Sequence, residues 1–363
     1  MLTSRKINYP VRVLIIGRGG ITITGIMKEI HNPPNPFESH HREWLESPPT
    51  VKLQIFEDDT KTILSRNDSP DVSFRWSVNP YRGCFHACAY CYARPSHEYL
   101  GFGAGTDFES KLVVKRDAAL LLRQAFLKPS WKGESVVFSG NTDCYQPLEA
   151  AWGLTRACLE VCAEFRNPVA IITKAVLILR DLDVLRRLNE VATLRVHLSI
   201  PFADNDMARK VEPQAPSISR RLVALRTLAD AGIYTAVSLA PVIPGLNDDQ
   251  MAVILELARD AGAQDAFYSL VRLAGNVEPV FLERIAAQYP ERINKVINRL
   301  KEVRGGRLNR TAFFERHTGQ GTYAEMLDKL FSVSKRKAGF PDMPETSARA
   351  TFQRPTPQQF CLF

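Results

Sequence analysis

Residues 79–100 read NPYRGCFHACAYCYARPSHEYL and place three of the chain's seven cysteines, Cys84, Cys88 and Cys91, within eight positions. The spacing is Cys-x3-Cys-x2-Cys. Three thiols are one fewer than a closed tetrahedral metal site uses. A cubane [4Fe–4S] cluster held by three thiolates leaves one iron without a protein ligand, free to take the amino and carboxylate groups of a small molecule. Zinc is the competing reading, with His86 or His97 as fourth ligand, although no second pair of closely spaced cysteines follows. Inert buried thiols are the third reading.

The surrounding chain favours metal over disulfides. An odd cysteine count does not make a complete disulfide framework, and the apolar stretch in MLTSRKINYPVRVLIIG is too short for a secretion signal. These features predict a cytoplasmic protein, where clustered thiols stay reduced. No apolar run is long enough to cross a bilayer, so no membrane partner is expected. The net charge is +8, and residues 301–363 carry eleven Lys/Arg against six Asp/Glu. Such a tail either binds nucleic acid or is an ordinary solvated surface.

Outward from the cysteines, short β-branched runs recur: VSFRWSV (72–78), SVVFSG (135–140), VAIIT (169–173), LRVHLSI (194–200), YTAVSLA (234–240) and AFYSLVRL (266–273). Helical patterns alternate with them. In LTRACLEVCAEF, Leu154, Cys158, Val161 and Phe165 share one face, and Cys158 and Cys162 read as core. Six alternations predict an α/β fold, a partial (β/α)6 TIM-type barrel. The expected organisation is a Pro-rich, irregular N-terminal extension (1–70), the barrel core (71–275), a mainly helical C-terminal segment (276–335) and a flexible basic tail (336–363). Early in the chain, GRGG after VRVLII suggests a dinucleotide loop, but position 22 is Thr22, not glycine, and no βαβ pattern follows. In a parallel α/β fold, chemistry gathers at the strands' C-terminal ends. The residues there are the cysteine loop, NTDCYQ (141–146), Lys174, Ser199, PVIPGLND (241–248) and Arg272.

With the aromatic Tyr90 just before the last cysteine, the motif resembles the signature of the radical S-adenosylmethionine (radical SAM) superfamily. NPYRGC, CYARPSHEYLG, DFESKLVVK, SGNTDCYQPLE, TKAVLILRDLDVL and PVIPGLND together resemble its spore-photoproduct-lyase-like branch, and within that a bacterial subgroup without an assigned substrate. The likeness covers about residues 32–335. It implies a [4Fe–4S] cluster on Cys84, Cys88 and Cys91, with SAM chelating the open iron. An external one-electron reductant of the flavodoxin or ferredoxin kind and a 5′-deoxyadenosyl radical that abstracts hydrogen from substrate are implied as well.

By the same resemblance, Tyr90 packs on the SAM adenine, Asn141, Thr142 and Asp143 bond SAM's amino group or ribose, and Ser199 contacts the ribose. Their ordinary alternatives are a core aromatic and a turn with a helix cap. Lys174 closes a buried apolar strand, needs an anionic partner, and has one in the SAM carboxylate. Tyr92 corresponds to a tyrosine that acts near SAM and in radical quenching in the lyase. PVIPGLND keeps Ile243, Gly245 and Asp248 of a superfamily element but has Pro241 at its first glycine. The lyase's hydrogen-donating cysteine aligns with Gly140, while Cys144 lies just beyond, as a substitute donor or a buried side chain. SIPFAD stands where relatives have a threonine-rich stretch before the aspartate, so substrate contacts near Asp204 are expected to differ from theirs, and His97, Arg94 and Glu98 face either substrate or structure. His40, His41 and His317 read as surface, and Cys361 has no assigned role. A DNA photoproduct-type repair lyase and a non-catalytic metal- and nucleic-acid-binding protein are the alternatives.

Overall fold

The computed structural model describes residues 14–17, 20–23, 53–341 and 350–355; His40, His41 and Cys361 lie outside them. β1 (Leu14–Gly17) and β2 (Gly20–Ile23) pair antiparallel, Gly17 opposite Gly20. Gly17 and Gly20 of GRGG thus belong to two paired strands, where a dinucleotide motif runs from a strand into a helix.

All six expected strands form. They are β5 (Trp76–Val78), β8 (Val136–Phe138), β9 (Val169–Thr173), β10 (Leu194–Ser199), β11 (Tyr234–Val242) and β12 (Asp265–Leu270). They lie side by side in that order, every neighbouring pair parallel. Among the described residues no pairing joins β12 to the far edge, so the barrel is open. One face of the sheet is apolar and fully covered: Ile171, Leu194, Val196, Leu198 and Val237 are at most 2% exposed. Helices such as Leu154–Glu164 and Leu182–Val191 pack their buried stripes into the same core. The alternate residues, Lys174, Ser199 and Ser238 among them, occupy the other face near the C-terminal ends.

The N-terminal stretch expected to be irregular contributes two further strands. β4 (Leu64–Arg66) pairs antiparallel with β5 at the sheet edge. β3 (Gln54–Glu57) joins a small second sheet with β6 (Tyr81–Arg82) and β7 (Lys111–Val114), in the order β3-β7-β6. These strands are short and mostly polar, so alternation did not reveal them. The small sheet abuts the cysteine loop, since β6 ends two residues before Cys84.

The C-terminal segment is helical as expected, with helices Val277–Gln288, Ile293–Val303 and Thr322–Lys337. Beyond it, residues 350–355 lie against the core. Phe352 lies 6.0 Å from the Phe126 ring and 6.2 Å from Phe165, and Arg354 donates to the carbonyls of Phe126, Lys128 and Trp131. No described helix is long and apolar enough to cross a membrane. Phe352→Ala is expected to lower the unfolding free energy by about 2 kcal/mol; an unchanged denaturant midpoint would show that the segment carries no stability.

Candidate active site

The cysteine loop is built from the backbone outward. Gly83 has φ +72°, and a Cβ there would lie 2.7 Å from the Phe108 carbonyl oxygen, so only glycine fits ahead of Cys84. The Cys84 amide donates to that carbonyl at 2.9 Å. Gln146, fully buried, donates to the Gly83 carbonyl at 2.9 Å and accepts from the Phe85 amide at 3.0 Å, gripping both sides of Cys84. Arg94, also fully buried, donates to the carbonyls of Cys88, Ala104 and Gly105 at 2.8–2.9 Å and pairs with Glu109 at 3.1 Å. Arg284 adds a bond to the Ala87 carbonyl at 3.0 Å and holds Glu109 at 2.9 Å. The guanidinium forks satisfy carbonyls that an irregular, buried loop cannot pair with itself. Arg94 is thus scaffold and does not face a substrate.

Cys84 and Cys88 are buried, and Cys91 is partly so. Burial, then Asp143 and the two other cysteines, push the Cys84 thiol well up. Burial pushes Cys88 up to about 12, against the pull of Lys174. Three thiols that raise one another's pKa are close in space, and their thiolates need positive charge to persist. Among the described residues, no three His, Cys, Asp or Glu side chains form a set that holds a metal ion as they stand. The fit to an iron–sulfur cluster rests on the donor set, two buried thiols and one partly buried, with Lys174 as a nearby cation.

Lys174 lies with Nζ 5.6 Å above the Tyr90 ring. Burial would lower its pKa, but Cys88 and Glu212 reverse that and hold it raised. The anionic partner inferred for Lys174 is thus supplied in part by Glu212. Glu212 also accepts from the Tyr90 hydroxyl and forms a buried ion pair with Arg221. Tyr90 is 7% exposed and built into the core, the ordinary alternative to an adenine-packing role. Neither Glu212 nor Arg221 was legible in sequence, because both follow β10 in stretches without a motif.

NTDCYQ is largely turned inward. Asp143 accepts from Thr173 Oγ1 at 2.6 Å, from the Lys174 amide at 2.9 Å and from the Tyr145 amide at 3.0 Å, and pairs with His86 at 3.4 Å. Burial opposes its charge, yet the His86 contact and these donors hold its carboxyl well below the usual range. His86 is thereby assigned to Asp143. Thr142 is 2% exposed and donates to the Tyr81 carbonyl at 2.8 Å, while Asn141 donates to Ser96 Oγ at 3.3 Å. Ser199, also buried, stands opposite Ser238 with its carbonyl bonded by Arg221. Thr142 and Asp143, expected as cofactor ligands, tie the loop to β9 and to the Tyr81 carbonyl.

Tyr92 is 52% exposed and donates to the Gly140 carbonyl at 3.1 Å, which sets a phenol on the open rim. A Cβ at Gly140 would stand 2.6 Å from the Ser77 Cβ, so the position has no room for the lyase's thiol. Cys144 is 1% exposed within the main core, and burial drives its thiol well up, in keeping with the buried-side-chain alternative. Cys158 and Cys162 are core as expected. Asp204 caps the helix Asn205–Val211, and Asp248 accepts from the Gly245 amide and from Tyr323. His97 is buried against the Lys111 carbonyl at 2.8 Å, and Glu98 takes a bond from Asn276. An open cavity of about 550 Å³ lies between the helices Asn205–Val211 and Val277–Gln288, with Ala89 on its wall.

Residues 78–258 match the Radical SAM superfamily. An uncharacterized protein of Mycobacterium tuberculosis is 36% identical over 226 residues, 62% of this chain and 66% of that protein. This chain thus spans just under two thirds of that relative's length. An uncharacterized protein of Methanocaldococcus jannaschii is 30% identical over 54% of this chain and 71% of its own. The Radical SAM Nalpha-GlyT isomerase of Pseudomonas phage M6 is 25% identical over 63% of this chain and 46% of that protein. In fold, the chain is similar to a spore photoproduct lyase mutant with bound AdoMet and dinucleoside spore photoproduct, at TM-score 0.57 and 17% identity over 79% of each chain. The chain belongs to the radical SAM superfamily.

Asp143 has a folded pKa below its ordinary 3.8, so it contributes stability that is complete above that value and lost as pH falls through the folded one. Asp143→Asn is expected to flatten the acid limb of the stability profile between about pH 4 and 2. An acid limb as steep as the wild type's would exclude Asp143 as a major source of acid sensitivity.

Proposed function

We propose that the protein binds a [4Fe–4S] cluster through Cys84, Cys88 and Cys91 and cleaves S-adenosylmethionine reductively, to abstract hydrogen from a substrate. The observation that carries this reading is a three-thiol loop at the C-terminal mouth of six parallel strands, with Lys174 beside it. When bound, the cluster supplies one electron to SAM, whose C–S bond breaks to give methionine and a 5′-deoxyadenosyl radical.

The chain's own residues do the rest. Gln146 and Arg94 hold the backbone of the loop that carries the three thiols. Lys174, fixed over Tyr90, offers its ammonium to the SAM carboxylate or to the anionic cluster. Asn141 lies partly exposed at the rim, within reach of a cofactor's polar groups. Tyr92, exposed beside Cys91, is the residue placed to meet substrate or to return a hydrogen atom. The electron comes from an external one-electron reductant of the flavodoxin or ferredoxin kind.

A second reading, repair of a DNA photoproduct, is favoured by the likeness in fold to spore photoproduct lyase and by the basic C-terminal stretch. The crowding at Gly140 weighs against it, because a thiol donor there would displace Ser77. The cytoplasm is the expected compartment, since a cluster of this kind persists in reducing surroundings.

Anaerobic reconstitution is expected to load about four irons per chain, and reduction with SAM to release 5′-deoxyadenosine. Alanine at Cys84, Cys88 or Cys91 should abolish both, whereas Cys158→Ala should keep both. Stoichiometric zinc in purified protein with no deoxyadenosine formed would reject the proposal.

A further inference from the structure

β12 ends at a second group of charged side chains, outside the stretch that matches the superfamily. Arg272 stands two residues beyond β12, half-buried, and its guanidinium makes no hydrogen bond or ion pair among the described residues. Its electrostatic neighbours are Arg316, Asp71 and Tyr92. Asp71 is not free to serve as its counterion. That carboxylate, 3% exposed, is gripped by both arms of the Arg316 guanidinium and accepts the Phe314 amide at 3.0 Å.

The layer behind Arg272 is equally short of acceptors. Arg304, 1% exposed, donates to the carbonyls of Val271 at 3.0 Å and Glu315 at 2.7 Å, and its Nε has no partner. His317, read from sequence as a surface residue, places Nδ1 3.1 Å from Ser269 Oγ and turns Nε2 toward Asp71 at 3.8 Å, too far for a hydrogen bond. Arg310 and Glu315 pair with each other at 2.7 Å and cancel. Arg316 and Arg272 share one carboxylate, Asp71, while Arg304, next to Arg272, has only backbone carbonyls as partners, so the group as a whole carries a surplus of two positive charges. Half-buried charge without a counterion is costly, and a surplus of two suits a dianion better than a carboxylate. The group also lies beside Tyr92, whose hydroxyl reaches Gly140 on the cysteine side of the rim.

We propose that Arg272, backed by Arg316 and His317, is the binding site for a phosphate group, and that this group anchors the substrate at the open mouth of the barrel. Only the word "substrate" rests on the radical SAM reading; the phosphate site stands on its own residues. Part of the basic excess of residues 301–363 is thus turned inward, through Arg304 and Arg316, and is not a solvated surface.

The test is calorimetric titration of the full chain with inorganic phosphate at constant ionic strength, with chloride as control. Saturable binding is expected, weakened about tenfold or more in Arg272→Gln and partly restored in Arg272→Lys, whose retained charge also separates lost binding from lost folding. Phosphate that binds no better than chloride, or an Arg272→Gln protein that binds phosphate like the wild type, would overturn the site. Phenyl phosphate distinguishes the source: tighter binding than phosphate marks the phosphoryl group of a larger compound, and binding that is no tighter overturns the anchoring role. Release of 5′-deoxyadenosine by the wild type is measured separately. Phosphate binding without that product keeps the site and rejects the radical reading, and the product without phosphate binding does the reverse.

Discussion

A buried guanidinium organises the centre of this molecule. The cysteine loop is irregular, so its carbonyls have no ladder or helix to satisfy them, yet it must lie inside the protein to keep its thiols from bulk solvent. Arg94 resolves that conflict by donating to carbonyls on both sides of the loop while fully buried, with its charge balanced by Glu109. Arg284 brings the C-terminal helix Val277–Gln288 onto the same carboxylate, so the segment after the sheet is tied to the loop by charge as well as by packing. Removing one member of such a buried pair typically costs about 3–5 kcal/mol, because the other is left uncompensated.

A second buried ion pair, Arg221 with Glu212, plays the matching role on the opposite side. It fixes the Tyr90 hydroxyl and shares its negative charge with Lys174. The two networks surround the thiols with positive charge from Lys174 and Arg94, and with negative charge from Asp143. That balance fits a site meant to hold an anionic cluster together with a zwitterionic cofactor.

The strand pattern was legible because each core strand is a short β-branched run between helical periods; VAIIT and LRVHLS became β9 and β10 with hardly a residue of difference. The cysteine motif was legible because its spacing is local. What stayed hidden depends on contacts distant in sequence. Gln146 reaches the loop across 63 residues and Asn276 reaches Glu98 across 178, and neither carries a local signal. The same holds for NTDCYQ, whose polarity suggested cofactor contacts and which also locks Asp143 between β9 and His86. Polar residues at strand ends are read from sequence as reactive, although a buried irregular loop needs just such groups to satisfy its backbone. The contacts of residues 350–355 were hidden for the same reason, since Phe352 and Arg354 find their partners more than 180 residues away.

The central claim is that the protein supplies three ligands and leaves the fourth coordination position to SAM. Electron–nuclear double resonance on the reduced, reconstituted protein with SAM labelled by nitrogen-15 at its amino group tests it most directly. The account predicts a hyperfine coupling between the label and the cluster, absent without SAM. A reduced cluster whose spectrum shows no coupling to the label in the presence of saturating SAM would contradict it.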